Sequence, residues 1–161
     1  MTQPDDVLRA ARARKVRIAT AESCTGGMII AALTDIAGSS DVVDRGFVTY
    51  SNAAKEQMLG VQAATLDAFG AVSEQVAAEM AQGALARSAA GLAVAVTGIA
   101  GPGGSERKPE GRVCFALADA QGVRVETVEF GPLGRANVRQ ATVAHALSLM
   151  LQALTSADDQ P

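Results

Sequence analysis

The 161-residue chain is 48% hydrophobic and 19% charged, a balance that fits one compact domain over residues 1–161 and excludes a disordered chain. A net charge of −3 with scattered arginines excludes the basic stripe that nucleic acid or an anionic membrane surface requires. There is no apolar run of the roughly 18 residues a membrane span needs, and the acidic amino terminus MTQPDDVLRA is unlike a secretory signal, so a soluble cytoplasmic protein is expected.

Residues 5–14 have the periodicity of an amphipathic helix, and Val16–Thr20 reads as a short buried strand. Residues 24–36 follow as an apolar helix closed at Gly38, and Arg45–Ser51 as a second strand. A short helix spans 52–59 with Gly60 behind it, and Ser73 is placed to cap a long helix to about Ala90. Leu92–Thr97 is the third strand, running into the Gly/Pro-rich loop Gly98–Gly104. Val113–Ala118 and Val123–Phe130 form a hairpin, Arg135–Leu154 the last helix, and a polar tail closes the chain. This alternation predicts an α/β fold, a three-layer α/β/α sandwich with a mixed, mainly parallel central sheet and a hairpin near one edge.

Thr20–Gly27, TAESCTGG, places small polar residues between a strand end and a helix start, where ligands of open α/β sheets collect and free N–H groups suit an oxyanion or phosphate. Ser23 at such a turn is either a helix cap or a nucleophile. Tyr50 is the one tyrosine, and Lys55 is one of three lysines beside eleven arginines; only a lysine can serve as a base, because guanidinium does not deprotonate. If the first two strands are neighbours, both side chains reach the sheet end that carries Ser23, and lysine takes the serine proton with the phenol as relay. The alternative is a buried tyrosine and a solvated lysine.

Cys24 competes as nucleophile but has no histidine partner, since the single histidine, His145, falls within the last helix. Cys24 and Cys114 lack paired spacing and a single histidine cannot complete a Cys/His cluster, so no metal site is expected. The loop Gly98–Gly104 fits neither a dinucleotide fingerprint, since Glu106 stands at the last glycine position, nor a Walker loop; it is either a turn or a backbone wall for a substrate. Arg112, Arg135 and Arg139 are candidates to hold a phosphate.

TAESCTGG (20–27), AGSS (37–40), TYSNAAK (49–55), GAVSEQVA (70–77), AVTGIAGPGG (95–104) and GRANVRQATVAHAL (134–147) together resemble the CinA C-terminal domain family over nearly the whole chain. The resemblance implies hydrolysis of nicotinamide mononucleotide to nicotinate mononucleotide and ammonia, no cofactor, a small-molecule nucleotide as partner, and a homo-oligomer. It implies Ser23, Tyr50 and Lys55 as the catalytic set. Glu22, Cys24, Thr25, Gly26, Gly27, Asn52, Thr97, Gly98, Gly101, Gly103, Arg112 and Arg135 are the expected substrate contacts. Longer members carry a separate N-terminal domain, which this chain is expected to lack. Val42 and Val43 stand where aromatics are frequent, and Glu110 and Arg112 alter a Lys-Pro-Val-Gly-Thr run, which bears on substrate preference. A nucleotide-binding module without turnover and a hydrolase of another amide are the competing readings.

Overall fold

The computed structural model describes residues 1–156. Five strands stand in the order β2-β1-β3-β4-β5: β1 Ile18–Glu22, β2 Val43–Val48, β3 Leu92–Gly98, β4 Arg112–Asp119 and β5 Gly122–Glu129. β1 lies between β2 and β3 and runs parallel to both, while β3–β4 and β4–β5 are antiparallel. The sheet is therefore mixed, with its parallel half first in the chain and the hairpin at one edge.

The helices are α1 Pro4–Arg14, α2 Met28–Thr34, α3 Asn52–Leu59, α4 Ala63–Phe69, α5 Glu74–Ala86 and α6 Arg135–Ser156. Alternation along the strands sorts them into two layers. Ile18, Val94, Val96 and Phe115 face one way and pack with Val7, Leu8, Ile29, Leu33, Val138 and Met150 of α1, α2 and α6. Ala19, Ala21, Ala93 and Ala95 face the other way, against Leu59, Leu66, Val76 and Met80 of α3, α4 and α5. Short side chains on that second face let its helices lie close to the sheet. Gly83 of α5 does the same between helices, because any Cβ there would meet the Leu59 carbonyl at the end of α3.

Several boundaries shift from the sequence expectation. β1 starts at Ile18 rather than Val16 because α1 ends with Lys15 in the left-handed region (φ 57°) and the Val16 amide bonds back to Ala11. β2 ends before Ser51, whose hydroxyl caps α3 by accepting from the Ala54 amide at 3.0 Å. α2 is shorter than expected, because residues 23–27 turn, with Gly26 and Gly27 at φ 58° and 105°. α4 was not anticipated. The expected polar tail lies largely outside the described residues. No described helix is long and apolar enough to cross a membrane.

The three parallel strands end side by side. At those ends stand Ser23 after β1, Thr49 and Tyr50 after β2, and the Gly98–Gly104 loop at the end of β3. A crevice outside the carboxyl ends of parallel strands is where such sheets bind ligands.

Candidate active site

A cleft of about 370 Å³ opens there, lined on one side by Ser23, Cys24, Tyr50, Asn52 and Lys55, and on the other by Thr97, Gly98, Gly101, Gly103 and Arg135. Its size falls within the range of small-molecule sites, roughly 300–1,000 Å³.

Lys55 projects from α3 into this cleft and is only 1% exposed. Its Nζ donates to Ser23 Oγ at 2.9 Å, to the Thr49 carbonyl at 2.9 Å and to the Tyr50 carbonyl at 3.1 Å. None of these partners is a carboxylate, so the three neutral acceptors offset only part of the lost hydration. Burial lowers the ammonium pKa from 10.5 to about 8, which leaves a substantial neutral fraction near physiological pH. A neutral amine has a lone pair, and the nearest side-chain hydroxyl to receive it is that of Ser23. The geometry therefore provides a hydroxyl and its base in direct contact.

Tyr50 enters differently from the expected relay. Its carbonyl holds Lys55, while its side chain is 62% exposed and its phenol oxygen accepts from Arg135 Nη2 at 3.1 Å. Arg135 also donates to the Gly101 carbonyl at 2.7 Å, so it bridges the two walls at the cleft mouth.

Cys24 is buried, and that burial raises its thiol pKa to about 12. It stays protonated at neutral pH and, unlike Ser23, makes no hydrogen bond to the amine that could take its proton. Cys24→Ala, which leaves the backbone of the turn in place, is accordingly expected to keep turnover within about three-fold of the parent in a steady-state ammonia assay.

Five of the expected contacts do not reach the cleft. The Glu22 carboxylate is fully buried and accepts from Thr20 Oγ (3.2 Å), Thr25 Oγ (2.6 Å) and the amides of Gly27 (3.2 Å), Ile29 (2.9 Å) and Ile30 (3.0 Å). Side chains alternate along a strand, so Glu22 points to the face opposite Ser23 and occupies the first turn of α2. Thr25 and Gly27 are thereby tied to Glu22, and the Gly26 amide donates to the Ser23 carbonyl, so the amides of Gly26 and Gly27 are taken up within the turn. Among the described residues, the Cys24 and Thr25 amides of this turn have no acceptor. The fifth residue, Arg112, pairs with Glu129 of β5 at 2.5 Å and lines a shallow groove on another part of the surface. Glu22→Ala strands several buried donors at once, and urea unfolding should show a loss on the order of 3 kcal/mol.

Arg139 braces the same turn instead of waiting for a phosphate. It donates to the carbonyls of Cys24 at 3.0 Å and Thr25 at 3.2 Å. A trans peptide sets its N–H opposite its C=O, so the grip on the Cys24 carbonyl turns the Thr25 amide away from Arg139. Val42 is buried in the core with α1 and α6, Val43 packs against that core, and neither of these positions, where aromatics are frequent in the family, lines the cleft. His145 lies half-buried against Phe115 and bonds Glu126 at 2.7 Å, a core-edge role. Ala71 and Val72, which also line the cleft, had no sequence signal because they act through the backbone. The Ala71 carbonyl accepts from Thr97 Oγ at 2.9 Å and that of Val72 from Lys108 Nζ at 2.6 Å.

Residues 2–154 match the CinA C-terminal domain. The chain belongs to the CinA C-terminal domain family. It is 50% identical to the nicotinamide-nucleotide amidohydrolase PncC of Escherichia coli over 153 residues, which cover 94% of this chain and 93% of that one. It is 59% identical to a CinA-like protein of Chlorobium phaeobacteroides over 119 residues, 71% of this chain but only 28% of that longer protein. Among solved structures, the competence/damage inducible protein CihA from Agrobacterium tumefaciens superposes with a TM-score of 0.85 at 53% identity, covering 96% of this chain and 98% of that one. A CinA superfamily protein from Klebsiella pneumoniae gives 0.92 at 37% identity over 95% and 96% of the two chains. Within the CinA C-terminal domain family, this chain thus has full-length relatives and relatives in which the same domain is a minor part.

Proposed function

We propose that the protein is a nicotinamide-nucleotide amidohydrolase, converting nicotinamide mononucleotide and water to nicotinate mononucleotide and ammonia. The observation that carries the chemistry is the 2.9 Å contact between Ser23 Oγ and the buried Lys55 amine. Half-identity to PncC along 94% of the chain supports the substrate class.

Neutral Lys55 takes the Ser23 proton as Oγ attacks the carboxamide carbon. The resulting oxyanion is met by the amide of Cys24, which lines the cleft beside Ser23. Lys55 returns its proton to the departing nitrogen, ammonia leaves, and an acyl-enzyme on Ser23 remains. Water then enters through the cleft, gives a proton to Lys55 and bonds to the acyl carbon; as the C–Oγ bond breaks, Lys55 passes that proton to Ser23 Oγ, which restores the Ser23 hydroxyl and the neutral amine and releases the product acid. Tyr50 contributes its carbonyl to hold Lys55, and its phenol, with Arg135, frames the mouth where the nucleotide enters. In this scheme the proton passes directly between Ser23 and Lys55.

The test is ammonia release on incubating the purified protein with nicotinamide mononucleotide, with free nicotinamide and other carboxamides in parallel. Release that depends on the nucleotide is expected. Binding without turnover would overturn the reading in favour of a nucleotide-binding module, and turnover of another amide alone would reassign the substrate.

A further inference from the structure

Glu110 is half-buried and stands outside the catalytic pair, on the connection between the glycine loop and β4. Its two carboxylate oxygens are used separately. Oε1 accepts from the Gly103 amide at 2.7 Å, and Oε2 accepts from the Gly134 amide at 3.0 Å, immediately before α6. The carboxylate lies flat against Gly101, where a Cβ would sit 2.5 Å from Glu110 Cδ and 2.8 Å from Oε1, and Gly101 itself takes a left-handed φ of 95°. Both constraints exclude a side chain at 101. From the first residue of α6, Arg135 reaches the carbonyl of that same Gly101 at 2.7 Å. One carboxylate and one guanidinium thus tie residues 101–103, a wall of the cleft, to the head of a 22-residue helix.

Charge-assisted bonds from a carboxylate to amides are among the stronger hydrogen bonds, and glycines left to themselves have the largest conformational freedom to lose. We propose that Glu110 is a positioning residue for the substrate, whose carboxylate clamps the glycine wall to α6 and holds the cleft in its binding shape. The clamp also occupies the amides of Gly103 and Gly134, so neither is free to bind an anion. Ser23 and Lys55 do not depend on the clamp for their contact. Its loss therefore acts on binding and not on the chemical step.

This inference rests on the amidohydrolase reading for its kinetic arm, and a second arm is independent of it. Steady-state ammonia release from nicotinamide mononucleotide is measured for the parent, Glu110→Gln and Glu110→Ala, together with amide hydrogen exchange of the segments 101–104 and 134–137. Glu110→Ala removes both bonds, and KM is expected to rise about ten-fold with kcat within about two-fold, while protection of both segments falls. Glu110→Gln keeps one acceptor oxygen and is expected to lie between the parent and the alanine variant. An unchanged KM with unchanged protection overturns the proposal, as does a lowered KM, which would mean that the carboxylate competes with the substrate. Equal falls in kcat and melting temperature at constant KM reduce Glu110 to a stabilising residue and also overturn it. If the parent itself releases no ammonia, the functional reading fails alone, and hydrogen exchange still decides whether the clamp exists.

Discussion

Lys55→Met abolishes most of the turnover, lowering kcat for ammonia release by about 10³-fold or more, the scale on which removing the base of a nucleophile pair acts. Methionine fills much of the same volume but offers no lone pair and no donor. In the parent, kcat/KM rises with pH as the amine deprotonates, with a midpoint near the lowered value of about 8, and this limb is absent from the variant's residual rate. Stability carries an independent signature of the same group. A lysine in the unfolded chain keeps its proton to 10.5, whereas the folded state releases it near 8. Between these values the unfolded chain binds more protons, so stability rises with pH; below 8 the folded state bears the whole cost of the buried ammonium, on the order of 3 kcal/mol. Urea unfolding of the parent between pH 8 and 10.5 should show this rise, and Lys55→Met should flatten it. The variant still folds, because relief of the buried charge offsets the loss of the Thr49 and Tyr50 carbonyl contacts. Full activity in a folded Lys55→Met protein would remove Lys55 from the mechanism.

The layers and the sheet end that carries the site were legible from periodicity, because the central strands β1, β3 and β4 are buried on both faces and Gly60 and Ser73 punctuate the helices, whereas α2 ends at Thr34, short of the expected stop at Gly38. Ser23 and Lys55 were legible as residue types, and a parallel β1–β2 pair was enough to bring them together. What periodicity could not supply was side-chain direction at the site. Glu22 and Ser23 are adjacent in TAESCTGG, yet one enters the first turn of α2 and the other the cleft, because successive side chains leave β1 on opposite faces and residue type does not say which face carries the site. Tyr50 was identified by its phenol, while its carbonyl makes the contact with Lys55; backbone roles leave no trace in residue identity. Arg112 looked like Arg135 in the sequence, but the antiparallel register sets Arg112 opposite Glu129, and the resulting pair turns it away from the cleft.

Ser23→Ala removes the nucleophile while sparing nearly everything else, and kcat is expected to fall by about 10³-fold or more. The hydroxyl it deletes makes one side-chain hydrogen bond, to Lys55. Lys55 retains both carbonyl partners, and the Ser23 amide keeps its bond to the Val96 carbonyl at 3.1 Å, so the strand end stays in register. Stability should change by no more than about 1 kcal/mol. Binding should survive as well, because the cleft walls, Arg135 and the glycine loop are untouched, and calorimetric titration of the inactive variant with nicotinamide mononucleotide gives its affinity without turnover. Rescue by the neighbouring thiol is not expected, since Cys24 holds its proton to about 12 and is not among the hydrogen-bond partners of Lys55. A double variant, Ser23→Ala with Cys24→Ala, should therefore be no slower than Ser23→Ala alone. If the second substitution lowers the residual rate by a further order of magnitude, the thiol carries that activity and the assignment of a single serine nucleophile falls.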